Sequence, residues 1–64
     1  MDKNSKVYKR AIKYTKLYMR YSIFNPDAQT YYNLMIGACK KLDRTYNLDK
    51  PAKKIVWDDV LGIS

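Results

Sequence analysis

Few side chains in this sequence could carry covalent chemistry, and none has the partner that activation requires. Cys39 is the one thiol, and Ser5, Ser22 and Ser64 are the serine hydroxyls. A nucleophile of either type needs an adjacent general base, most often histidine, and the chain has no His and no Glu. A structural zinc site draws its ligands mainly from Cys and His, so one Cys cannot supply it. Asp58 and Asp59 are neighbours, and successive residues on a helix point about 100° apart, which is wrong for a pair converging on one reacting atom. They read instead as a solvated pair, as partners of a helix dipole, or as acids lying across a basic surface. The only glycines are Gly37 and Gly62, so no Gly-rich phosphate loop exists. No catalytic residue, metal or cofactor is assigned, and the chain is expected to bind rather than to catalyse.

The residues that do stand out are cationic. Thirteen Lys and Arg oppose six Asp, for a net charge of +7. Residues 1–24 hold seven cations and one acid, Asp2, for +6; residues 25–64 hold six cations and five acids, for +1. At 100° per residue, Lys6, Lys9, Arg10, Lys13, Lys16 and Arg20 fall in one arc of a helix. Only Leu17 intrudes on it. No acid within that helix stands three or four residues from any of the six, so their repulsion is unrelieved. A polyanion would relieve it. The functional reading is therefore contact with the phosphate backbone of DNA or RNA, with binding that weakens steeply as salt rises. Arg is scarce, with three residues against ten Lys, which argues against extensive bidentate reading of bases. The competing reading is a solvated lysine face that keeps a small protein soluble.

Aromatic residues are the second candidate set. Tyr14 and Tyr21 flank the basic arc and are placed to meet a sugar or stack on a base. Trp57, the single tryptophan, reads first as core and second as the anchor of an apolar docking segment. Tyr8, Tyr18, Tyr31 and Tyr32 sit on apolar arcs and read as core with the hydroxyl at the rim. Cys39 lies on the apolar arc of the second helix and reads as buried packing.

The elements that position these residues follow from caps and periodicity. The fold class expected is all-α: a helical hairpin of two amphipathic helices and a short C-terminal helix, in one small domain spanning 1–64. Residues 1–4 form a flexible polar tail. A basic amphipathic helix runs over 5–24, opened by Asn4 or Ser5 as cap and buried through Val7, Tyr8, Ala11, Ile12, Tyr14, Tyr18 and Met19. It ends near Phe24, because Asn25 precedes a proline. Asn25 as N-cap and Pro26 as first helical residue start a second helix over 26–46. Its apolar face is Ala28, Tyr31, Tyr32, Leu34, Met35, Ala38, Cys39, Leu42 and Tyr46. Gly37 interrupts its polar side, at a cost of roughly 1 kcal/mol relative to Ala. A polar connection over 47–54 leads to a short third helix over 55–62, stopped by Gly62.

Composition bounds the rest. A chain of 64 residues buries only about 60% of the surface it exposes when unfolded, so self-association as a homodimer or ordering on a partner would stabilise it. No run of about 20 apolar residues marks a transmembrane segment, and no secretory signal is visible. A single free Cys fits a reducing interior, so the expected location is the cytoplasm or the interior of a host cell. Usage rich in Lys, Tyr, Asn and Ile is what an AT-rich genome encodes, as in a low-GC microbe, a virus or a mobile element.

Three functions fit these features, in this order. The first is a nucleic-acid-binding accessory or regulatory factor. The second is a phage- or mobile-element-type regulator or inhibitor that caps an acidic surface of a host protein. The third is a cationic membrane-active peptide, disfavoured by an apolar face rich in Tyr and by a second helix able to cover it.

Overall fold

In the computed structural model, which describes residues 1–21 and 26–63, the chain folds into three helices. These are α1 (Lys6–Tyr21), α2 (Ala28–Thr45) and α3 (Ala52–Leu61). The described residues contain no strand, and the all-α reading of two long helices and a short C-terminal one holds. Helix α1 packs most extensively against α2, and α3 closes over both.

The start of α1 is set by Ser5. Its Oγ accepts the Tyr8 amide at 3.2 Å and its carbonyl accepts the Lys9 amide at 3.0 Å, so it satisfies a donor that the first turn would leave open. Ahead of the helix, Asp2 to Ser5 form a turn, where a flexible tail was expected. The Asn4 amide donates to the Asp2 carboxylate at 2.9 Å, and the Ser5 amide to the Asp2 carbonyl at 3.2 Å. The expected end of α1 at Phe24 and the expected cap at Asn25 lie outside the described residues.

Two boundaries differ from the sequence expectation. Helix α2 begins at Ala28, two residues after Pro26. Asp27 sits at φ −86°, ψ 9°, in the bridge region between the main wells. Its carbonyl accepts the Tyr31 amide at 3.2 Å, so Asp27 takes the cap position and Pro26 falls in the turn before it. Helix α3 begins at Ala52, three residues earlier than the polar connection implied. Pro51, at φ −55°, ψ 137°, is its cap residue. The Ala52 amide donates to the Asp43 carboxylate of α2 at 2.8 Å. A negative charge at a helix N-terminus is favourable, and here it arrives from another helix. At the far end Gly62 adopts φ 74°, and the Ile63 amide reaches back to the Asp58 carbonyl at 3.0 Å, closing the helix in the left-handed cap that glycine favours.

The core is small and draws on all three helices: Tyr8 and Ala11 from α1, Met35, Cys39 and Leu42 from α2, Ala52 and Val56 from α3. Thr15 is fully buried among them. Its hydroxyl donates to the Ala11 carbonyl at 2.7 Å, so burial leaves no unpaired polar group. The apolar arc expected of α1 omitted this residue; it lies one turn beyond Ala11, in the middle of the buried stripe. On α2 the correction runs the other way. Leu34, expected inside, is 41% exposed, while Ile36 packs against the core. An edge-to-face aromatic chain ties the three helices together. Tyr18 meets Tyr32 at 5.4 Å and Trp57 at 6.3 Å between ring centroids. Such pairs contribute about 0.5–1.5 kcal/mol beyond their buried area.

Candidate nucleic-acid interface

The buried stripe of α1 fixes where its charges go. With Tyr8, Ala11 and Thr15 turned inward, the opposite arc faces solvent. Lys6, Lys9, Arg10, Lys13, Lys16 and Arg20 are all exposed. Spread over fourteen residue steps, they cover about 21 Å of helix at 1.5 Å per residue. Among the described residues no carboxylate lies within ion-pairing distance of any of the six. Leu17 is half-buried beside them and, with Ile12, gives the basic surface a shallow apolar floor between Lys9, Lys13, Lys16 and Arg20.

Of the aspartate pair, Asp59 makes its ion pair with Lys3 and not with a cation of this surface. Asp59 faces the N-terminal turn, where Lys3 Nζ approaches it at 3.1 Å and the Tyr8 hydroxyl donates a hydrogen bond to it. The Asp59 side chain is 12% exposed and Lys3 59%. Burial pushes the Tyr8 phenol up to about 12, and the hydrogen bond and charge of Asp59 push the same way: ionising Tyr8 would place two negative oxygens together in a partly dry corner.

The aromatic candidates separate. Tyr14 is half-buried and forms one wall of a groove between α1 and α2. Tyr21 is 37% exposed at the end of α1. Its ring lies 5.7 Å from that of Tyr31, with the Arg20 guanidinium 5.7 Å above it. Trp57 lies elsewhere, half-buried against Tyr18. Its indole Nε1 is buried and has no hydrogen-bond partner among the described residues. The structure thus brings Tyr14 and Tyr21 beside the basic arc and keeps Trp57 in the packing of the three helices.

The groove is the feature that sequence reasoning missed. About 270 Å³ in volume, it is lined by Val7, Arg10 and Tyr14 of α1 and by Leu34, Gly37 and Lys41 among residues of α2. Arg10 and Tyr14 are one turn apart, so their shared edge was legible in the sequence. Their opposite wall was not, because it depends on how α2 is rotated against α1.

Cys39 is buried, and burial raises its thiol above the ordinary value; Asp43 adds to the rise and Lys53 opposes it. A raised thiol holds less of the reactive thiolate. Among the described residues no group of three or more His, Cys, Asp or Glu could hold a metal ion, and no helix is long and apolar enough to cross a membrane.

Comparison with known protein families, with curated proteins and with solved structures finds no match for this chain.

Proposed function

We propose that the protein is a small nucleic-acid-binding accessory or regulatory factor, acting without catalysis. Its outward face of α1 is the phosphate-binding surface. The observation that carries this reading is that Lys6, Lys9, Arg10, Lys13, Lys16 and Arg20 are all exposed on one side of a helix whose other side is core, with no carboxylate among the described residues in ion-pairing distance. Their mutual repulsion is therefore unrelieved by the described residues, and an anion would relieve it. Phosphates at regular spacing supply that anion, and the release of condensed counterions drives the association. Lysines predominate, so contact is with the backbone and sequence preference is weak. The test is titration of labelled duplex and single-stranded oligonucleotides at a low and a higher salt concentration. Tight binding at low salt that weakens steeply with salt supports the reading; no binding at low salt rejects it.

A second reading, a regulator capping an acidic host protein, has its own observation. Leu61 and Ile63 are 56% and 69% exposed at the end of α3, on the segment that an apolar docking tail would use. Capture from a cell lysate with and without nuclease separates the two. A protein partner retained after nuclease treatment favours the second reading, and loss of all captured material favours the first.

A further inference from the structure

Beside the basic face, the groove between α1 and α2 holds a combination of groups that phosphate contact alone does not use. Tyr14 forms one wall, and Leu34 with the bare backbone of Gly37 forms the other. Arg10 and Lys41 stand at its edges, both exposed. Asn33 lines it too; its side-chain oxygen accepts the Gln29 amide at 3.0 Å, which leaves its own amide hydrogens to donate.

Gly37 is the informative residue. A glycine inside a helix is unfavourable relative to alanine. Tight helix packing is the usual reason to keep one, and it is absent here: a Cβ at Gly37 would meet nothing within 4 Å. The space above Gly37 is therefore not filled by the chain's own side chains. Its volume, about 270 Å³, falls below the roughly 300–1,000 Å³ of pockets for drug-sized ligands. That suits a single planar group.

We infer that this groove receives one unpaired base, and that the protein binds single-stranded nucleic acid in preference to duplex. The inference rests on the phosphate-binding reading of α1. The base enters over Gly37 and stacks on Tyr14, with Leu34 closing the far side. Base–aromatic stacking of this kind tolerates any base, because each has a π-face. The Asn33 amide donates to a carbonyl or ring nitrogen on the base edge. Arg10 and Lys41 meet the phosphates on either side, and Arg10 joins the groove to the remaining cations of α1, so that the strand continues along them. Charge complementarity selects the occupant: an apolar slot edged by two cations and continuous with five more fits an anionic backbone bearing aromatic bases. A base held in a duplex cannot enter without leaving its stack.

The test uses the full chain with labelled oligothymidine and a duplex of equal length at low salt. Wild type is expected to bind the single strand more tightly. Gly37→Leu keeps a good helix former at that position and fills the slot. It is expected to weaken single-strand binding by about tenfold or more while leaving duplex binding unchanged. Tyr14→Phe should retain single-strand affinity and Tyr14→Leu should lose it. Equal binding of both probes by wild type, or undiminished single-strand binding by Gly37→Leu, overturns the inference and leaves the phosphate reading standing. Failure of both probes to bind removes the phosphate reading and this inference together. If Gly37→Leu abolishes binding of an acidic amphipathic peptide but not of oligothymidine, the slot belongs to a protein partner and the inference is wrong.

Discussion

The turn before α1 and the outward face of α1 handle positive charge in opposite ways. At the N-terminal corner, Lys3 meets Asp59, and the Tyr8 hydroxyl donates to the same carboxylate. Charge and hydrogen-bonding capacity are satisfied within the fold, and the N-terminal segment is tied to α3. Along the outward face of α1, six cations stand exposed with no carboxylate among the described residues in ion-pairing distance. The acids that could have relieved them have other positions. Asp43 caps α3, Asp59 holds the corner, and Asp2 closes the turn before α1. The contrast teaches that charge in the corner contributes to folding, whereas charge on the face makes no ion pair among the described residues.

The largest expected effect breaks the face alone. Reversing Lys9, Lys13 and Lys16 to Glu should lower oligonucleotide affinity by about 100-fold or more at low salt. The thermal midpoint should not fall, because like-charge repulsion along the helix is relieved. A loss of binding that tracks unfolding in circular dichroism would tie the face to stability and dissolve the distinction.

Breaking the corner should do the reverse. Asp59→Ala leaves the buried Tyr8 hydroxyl without its acceptor, at a cost of about 1–3 kcal/mol, to be read from urea denaturation. The variant's oligonucleotide affinity should stay at or slightly above that of wild type, since one negative charge is gone. Cores of domains this small rarely supply more than roughly 3–5 kcal/mol, so the loss should be read as an increased fraction unfolded at ordinary temperature.

A smaller effect sharpens the comparison on α2. Gly37→Ala should stabilise the protein by up to ~1 kcal/mol, because its added methyl group meets nothing within 4 Å. Denaturation midpoints of the two proteins measure it. An unchanged or lower midpoint would mean that the glycine has a structural duty in the folded chain.

The corner also has its own pH signature. Tyr8 titrates near 12 in the folded state, against about 10 in an unfolded chain. The unfolded state therefore loses its proton first. The stabilising contribution is complete below pH about 10 and is lost as pH rises towards 12. Tyr8→Phe removes this term, so its stability should fall less than that of wild type across that window in denaturant titrations at stepped pH. Parallel slopes in the two proteins would show that other groups govern the alkaline loss.

How much of this was legible in the sequence depended on whether the cause was local. The three helices, the Ser5 cap, the Gly62 stop and the outward basic arc each follow from residues within one or two turns of one another. The start of α3 did not, because its cap acceptor is Asp43, on another helix. Thr15 is not legible as core from its type, because hydroxyl residues are mostly exposed; its bond to the Ala11 carbonyl is what permits burial. Leu34 was placed inside by its type, and the rotation of α2 turns it out. The groove lay beyond reach for the same reason, since Arg10 and Tyr14 were visible as a helical edge while Gly37 and Lys41 could be set against them only by packing.

The central claim is that phosphates fill the outward face of α1, and the salt dependence of duplex binding counts them. If four to six phosphates are engaged, a plot of log affinity against log salt concentration should have a slope of about −3.6 to −5.4. In the variant with Lys9, Lys13 and Lys16 reversed it should be shallower by about 2.7, or 0.9 for each contact removed. A slope near zero in wild type, or the same slope in both proteins, would contradict the account.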